Sequence, residues 1–158
     1  MKVSVFCGTS VDGFIARPDG ALDFLDAGGS EPHGYEEFIA TIDTIVIGRN
    51  TYETVLAFPA WPYAGDKRVV VLSSRPMRQP DGARVEPMSG EPAEIVAKLA
   101  ARGARHIYVD GGVTIQRFLR AGLVDRLVVT RVPILIGQGI PLFGSLPRDV
   151  SLTHVTTR

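Results

Sequence analysis

The sequence predicts an α/β fold, a largely parallel sheet with helices on both faces. Three observations lead there. Apolar, β-branched runs alternate with segments of helical period from end to end, strand and helix in turn. Residues 44–47 and 68–72 are almost wholly apolar or β-branched, as strands covered on both faces are. Glycine stands where strands give way to helices, most plainly at Gly111-Gly112. A chain of 158 residues is enough for one domain with a full core, so residues 1–158 are read as a single domain.

Residues 3–7 form a short strand ending at Gly8. A loop rich in Pro, Gly and Asp runs from Arg17 to Gly34, and long polar loops of this kind commonly carry function. Tyr35, Phe38, Ile39 and Ile42 fall at i, i+3, i+4 and i+7, the apolar face of a short helix that ends at Asp43. The strand at 44–47 runs into Gly48-Arg49-Asn50-Thr51, with a second helix starting at Thr51. Pro59 and Pro62 bar regular helix from 58–63, which leaves an aromatic loop carrying Phe58, Trp61 and Tyr63. The strand at 68–72 is followed by Ser73-Ser74-Arg75-Pro76 and by an edge strand at 83–87. A third helix opens at Glu91, with Pro92 in its first turn and Gly103 past its end. Residues 105–109 feed the Gly111-Gly112 turn, and Thr114 is placed to cap a fourth helix that Gly122 closes. A strand at 126–132, the stretch 134–139 and an alternating segment from Val150 to Val155 complete the pattern.

Charge excludes some partners. The 17 basic residues balance 17 acidic ones, so neither nucleic acid nor an anionic membrane has an electrostatic case. Cys7 is the single cysteine and lies in an apolar strand pattern, which rules out a disulfide framework and fits a reducing compartment. Residues 1–6 are too short and too alternating for a signal peptide, and no apolar run approaches the ~20 residues of a membrane span. A cytoplasmic protein is expected. His33, His106 and His154 lack metal-ligand spacing, so no metal is expected either.

In parallel sheets ligands sit at the carboxyl ends of the strands. Three strand ends here carry small polar or basic residues: Gly48-Arg49-Asn50-Thr51, Ser73-Ser74-Arg75 and Asp110-Gly111-Gly112-Val113-Thr114. Backbone N–H groups at helix starts and guanidinium forks suit a polyphosphate. Turn chemistry accounts for each cluster alone, whereas three at one sheet edge favour an anionic cofactor. The pattern is not a Rossmann fingerprint. No G-x-G-x-x-G follows a strand, and no helix follows Gly137-Gln138-Gly139.

Four stretches resemble the dihydrofolate reductase superfamily, in the branch holding the reductase domain of bifunctional riboflavin-synthesis proteins. They are Ser10-Val11-Asp12-Gly13-Phe14-Ile15-Ala16, residues 47–53 around Gly48-Arg49-Asn50-Thr51, residues 71–76 around Ser73-Ser74-Arg75, and the run from Val109 to Phe143. The resemblance implies a dihydrofolate reductase-like three-layer α/β/α fold with a central, mostly parallel sheet and an antiparallel C-terminal edge. It implies NADPH bound across that sheet and hydride transfer to a heterocycle or a C=N or C=O group. On this chain it places Arg49 and Arg75 at the adenosine 2′-phosphate, with Ser73 and Ser74 around the same group. Asn50 and Thr51 fall at the pyrophosphate. Gly111, Gly112, Val113, Thr114 and Ile115 fall on its other side, with a cis peptide at the glycine turn. Gly8, Ile15 and Ala16 fall by the nicotinamide and Gln138 and Gly139 by its ribose, and Gly48, Leu72 and Asp110 complete the cofactor set. The two arginines favour NADPH over NADH. Dimers are usual in this branch, so a homodimer is expected.

The same resemblance marks departures on the substrate side. The carboxylate that holds pterin in dihydrofolate reductases falls here around His33-Gly34, which argues against folate. The lysine that meets a ribose phosphate in the riboflavin branch is replaced by Phe6, which argues against the riboflavin step. An unidentified small molecule is left as substrate, with Phe6, His33, Tyr35, Phe58 and Trp61 as its candidate contacts. The alternatives are a stand-alone 5-amino-6-(5-phosphoribosylamino)uracil reductase and a non-catalytic NADPH-binding protein. Relatives also continue into one more antiparallel strand, in a hairpin with the segment around Leu152 to Thr156. Here the chain ends at Arg158, and the edge so left is one a second subunit could cover.

Two residues are candidates for proton transfer. Asp12 is either an acid or an Asp that fixes a turn through backbone contacts. Tyr35 is either a donor or part of the apolar helix face. Phe58 and Trp61 suit stacking on a planar substrate or packing within their own loop. Water can supply the proton in place of any side chain.

Overall fold

The computed structural model describes residues 1–63 and 65–158. In chain order the elements are β1 (Lys2–Thr9), β2 (Phe14–Ala16), a 3-10 helix (Asp23–Gly28), α1 (Tyr35–Ala40), β3 (Thr44–Gly48) and α2 (Arg49–Leu56). There follow β4 (Arg68–Leu72), β5 (Arg84–Met88), α3 (Pro92–Ala101), β6 (His106–Asp110), α4 (Gly112–Arg120), β7 (Arg126–Arg131) and β8 (Ile140–Pro141). Six strands pair in the order β5-β4-β3-β6-β1-β7, parallel at every step. The antiparallel pairing lies apart from this sheet, where β2 meets β8.

Strand parity divides the core into two layers. On β3, Ile45 and Ile47 turn to a cluster with Ile42, Tyr52 and Val55, the layer under α1 and α2. Val46 turns the other way and joins Val109, Ile95, Leu99, Ile115 and Phe118, the layer under α3 and α4. Val46 stands opposite Val70 on β4 and Val109 on β6, so the central strands bury both faces. The three-layer architecture expected from the sequence is thus the one observed. Asp43 ties two strand starts together at the far end. Its carboxylate accepts the N–H groups of Arg105 and His106, each at 2.9 Å, and the Thr44 hydroxyl at 2.8 Å. No described helix is long and apolar enough to cross a membrane.

Several local expectations are corrected. α2 starts at Arg49, two residues earlier than Thr51, because Gly48 is extended (φ −75°, ψ 164°) and acts as N-cap. α4 starts at Gly112 with Gly111 as N-cap (φ 95°, ψ 135°), so Thr114 lies in the first turn and caps nothing. The positive φ that glycine alone adopts freely brings the chain into the helix sooner than a threonine cap would. No cis peptide bond occurs among the described residues, the glycine turn included. The loop from Arg17 to Gly34 contains the 3-10 helix. Residues 150–158 are exposed and form no strand despite their alternation, since a ladder needs a neighbouring edge and none among the described residues pairs with them.

Phe118 is fully buried beneath the sheet. Phe118→Ala is expected to cost about 3–5 kcal/mol through lost burial and the cavity left behind, read as a lowered urea midpoint at unchanged slope.

Candidate active site

β4, β3 and β6 are neighbours, so the three polar clusters end side by side on one edge, spanning about 10 Å at ordinary strand spacing. Two helices start there. A Cβ on Gly48 would lie 2.9 Å from Thr114 Oγ1, and a Cβ on Gly111 would run into Thr51 Oγ1. Each helix thus seats the threonine of its first turn on the N-cap glycine of the other. Neither start receives a side-chain cap, which leaves first-turn N–H groups to face the cleft, the arrangement that binds anions.

The basic pair is only half assembled. Arg49 Nη1 donates to Ser73 Oγ at 3.0 Å and to the Pro76 carbonyl at 3.4 Å, while its Nε meets Glu53 Oε1 at 3.1 Å. Ser74 and Arg75 lie exposed on the following turn, held by the Arg75 N–H donating to Ser73 Oγ at 3.1 Å. Among the α4 residues, Val113 is exposed and Thr114 buried. Ile115 is fully buried in the core and its N–H donates to the Gly111 carbonyl, so it packs and cannot present a group to a ligand. On the β1 side, Leu25 of the 3-10 helix closes on Gly8, where a Cβ would lie 2.9 Å from Leu25 Cδ2. Ile15 and Ile140 close on Gly112, and Gly139 runs against the Ala16 carbonyl.

The substrate-side candidates separate. Phe6 packs in an aromatic cluster, 5.5 Å from Tyr35 and 4.9 Å from Phe38 between ring centroids. Trp61 lies edge-on to Tyr52 and Tyr63 at 6.1 and 5.3 Å, which makes it a packing residue of the layer under α2 rather than a free stacking surface. Phe58 is 42% exposed just beyond α2. His33 holds a left-handed backbone (φ 52°) in the loop before α1.

Asp110, expected at the cofactor, shares a strand face with Tyr108, and its charge reaches Tyr35, Tyr63, Tyr108 and Cys7. Burial raises its carboxyl above the ordinary range, against the Gly111 N–H at 2.8 Å and the Tyr108 hydroxyl, which favour the charged form. Burial, with Asp110, pushes the Cys7 thiol up to about 12 and raises the Tyr35 and Tyr63 phenols. A group of phenols and a carboxyl whose charged forms burial disfavours therefore lies under α1. Strand parity of Tyr108 and Asp110 was the signal that could have revealed it.

Asp12 is a different case. Its Oδ2 accepts the Gly137 N–H at 2.8 Å and its Oδ1 the Ile136 N–H at 3.3 Å. The Ser10 hydroxyl and these two amides hold its carboxyl below the usual range, so it stays ionised and is unsuited to donate a proton. Among the described residues no three His, Cys, Asp or Glu side chains gather as a metal site.

A parallel sheet with its cleft at the carboxyl ends of β3, β4 and β6 is the architecture of the dihydrofolate reductase-like proteins. Within that class the model of the RibD C-terminal domain matches residues 1–158, and the chain belongs to that family. The uncharacterized protein YwjB of Bacillus subtilis (strain 168) is 32% identical over 154 residues, 96% of this chain and 87% of that protein. A candidate riboflavin biosynthesis protein from Shewanella sp. PV-4 superposes with a TM-score of 0.86 at 42% identity, covering 96% of this chain and 88% of that one. Dihydrofolate reductase from Enterococcus faecalis, complexed with NADP(H) and RAB-propyl, gives a TM-score of 0.60 at 21% identity. That match covers 99% of this chain and 88% of the other, and is a likeness of fold. Family and neighbours together support a reductase of the riboflavin-pathway and dihydrofolate-reductase-like kind.

A carboxyl raised by folding binds its proton more tightly in the folded chain than in the unfolded one. Stability then falls as pH climbs from the ordinary Asp range through the folded-state value of Asp110, and the cost is fully present above it. Asp110→Asn is expected to be more stable than the wild-type chain in urea titrations at about pH 8. The gap should close as pH is lowered towards the ordinary Asp value, about 4. A gap independent of pH contradicts burial as the cause.

Proposed function

We propose that the chain is an NADPH-dependent reductase that passes hydride to a small heterocyclic acceptor. The observation that carries this reading is the interlocked pair of uncapped helix starts, with the Arg49–Ser73 pair one strand away. The residues fit the cofactor. First-turn amides of α2 and α4 suit the pyrophosphate, with Asn50 at the exposed end of the first turn of α2. Arg49 and Ser73 suit a 2′-phosphate, and Ser74 and Arg75 are near enough in sequence to join them from their exposed turn. When bound, NADPH supplies the hydride.

The chain contributes position and a proton. Gly8 and Gly112 give a floor without side chains, on which Leu25, Ile15 and Ile140 close, while Gly139 runs against the Ala16 carbonyl. The acceptor would lie between α1 and the sheet, against Tyr35 and Asp110. There burial disfavours the charged form of the Asp110 carboxyl and raises it above its ordinary range, and an acceptor gaining hydride needs a proton.

The test is a titration with NADPH and with NADH, following Trp61 quenching and nicotinamide emission. NADPH is expected to bind more tightly. Arg49→Ala should weaken NADPH roughly tenfold to a hundredfold, as the loss of a hydrogen bond to a charged group does, and leave NADH nearly unchanged. Equal affinity for both nucleotides would mean the arginine does not read a 2′-phosphate, and no binding of either overturns the reductase reading.

A further inference from the structure

The stretch between β4 and β5, residues 73–83, forms no helix or strand and is fastened to α2. Arg49 and Tyr52 lie three residues apart in α2, so both side chains leave the helix on one face. Arg49 Nη1 donates to Ser73 Oγ and to the Pro76 carbonyl, and the Tyr52 hydroxyl donates to the Arg78 carbonyl. The two anchors differ in their surroundings. Arg49 is partly exposed and shares its guanidinium with Glu53, whereas the Tyr52 ring is buried edge-on to Trp61. Burial raises the Tyr52 phenol, against the Arg78 charge, which lowers it, so the hydroxyl stays a donor. Met77, between the two anchored carbonyls, packs on the same apolar layer as the ring. The stretch so held carries Arg75 and Arg78, both exposed, and neither enters an ion pair among the described residues. Two unpaired guanidiniums on a held turn beside Arg49 suit a group of high negative charge.

We propose that Tyr52 is a positioning residue whose hydroxyl, by holding the Arg78 carbonyl, fixes the 73–78 turn against α2 and so lets the chain prefer a nucleotide that carries a 2′-phosphate. This rests on the reductase reading above. Guanidiniums on a freely moving turn lose part of their attraction to the cost of ordering the turn, whereas those on a fixed turn do not. The effect passes through the turn, so a nucleotide without the 2′-phosphate should not register it. Tyr52→Phe keeps the ring against Trp61 and removes the hydroxyl alone. Arg78 is exposed, so water takes over its carbonyl in that variant and the fold keeps its core.

Limited trypsin proteolysis of the nucleotide-free chain tests the anchor, and titration with NADPH and with NADH tests its consequence. The Arg78–Gln79 bond is a trypsin site whose own carbonyl is the one Tyr52 holds, while Arg75 is followed by Pro76 and resists the protease. In Tyr52→Phe, cleavage at Arg78–Gln79 should quicken about fivefold or more, with the bond after Lys98 in α3 cut no faster. NADPH should bind roughly threefold to tenfold more weakly, as the loss of one hydrogen bond does, with NADH unchanged within about twofold. A residue that merely supported the fold would quicken cleavage after Lys98 as well and weaken both nucleotides together, and that result overturns the proposal. Unchanged cleavage at Arg78 overturns the anchor. Faster cleavage there with an unchanged preference for NADPH overturns its role in selection. A wild-type chain that binds neither nucleotide overturns the reductase reading and the selection role with it, and the cleavage comparison still decides the anchor.

Discussion

The cleft depends on how closely α2 and α4 begin beside each other. They leave neighbouring strands, β3 and β6, and go to opposite faces of the sheet, α2 to the layer of Tyr52 and Val55 and α4 to that of Ile115 and Phe118. From β3 the chain proceeds outward to β4 and β5, and from β6 it returns past β1 to β7. Connections that diverge in this way open a crevice at the carboxyl ends of the two strands. What brings the helix starts into contact across it is the lack of a Cβ at Gly48 and Gly111, which leaves room for Thr114 and Thr51. A side chain at either position would have to push the two starts apart, and the amides would no longer face a common ligand.

The same strand parity that divides the core divides the cleft. Val109 points into the layer under α3 and α4, while Tyr108 and Asp110 point to the layer under α1 and α2. A molecule at the crevice therefore meets backbone donors where the helices begin. Towards α1 it meets phenols and an acid that burial keeps towards its neutral form. Donors suit anionic groups, and an acid whose charge burial disfavours suits an acceptor that gains a proton. The two halves of the site differ in chemistry because alternate residues of one strand face different layers.

Much of the fold was legible because its signals are local. Apolar runs located every strand of the main sheet, periodicity α1, and Pro, Gly and cap signals the other three helices, while the glycine turn, Arg49 and Ser73 stood out by residue type at strand ends. Strand order was not legible, since it arises from contacts distant in sequence, and with it went the reciprocal seating of Thr51 and Thr114. Thr114 was misread as a cap because capping preference is a local rule, while the positive φ at Gly111 starts the helix earlier. Phe6 and Trp61 carried a substrate reading on residue type alone, and only their ring partners show them packed. Asp12 was ambiguous between acid and turn, and its partners lie more than a hundred residues away, at Ile136 and Gly137.

The uncapped helix starts also bear on stability. A Ser, Thr, Asp or Asn at the N-cap is worth about 1 kcal/mol over residues that cannot cap, and here both N-caps are glycine with no side chain to offer. Glycine at an N-cap is a small concession, because it ranks only a few tenths of a kcal/mol below the capping residues. Under the proposed reading, an anion in the cleft would engage two helix starts at once. Such a ligand binds the folded chain and has no site in the unfolded one, so its binding adds directly to the stability of the fold. The geometry that leaves the cleft receptive is thus the geometry a bound anion reinforces. The glycines at 48 and 111 let the two helix starts approach, and the threonines at 51 and 114 fix how closely they do so.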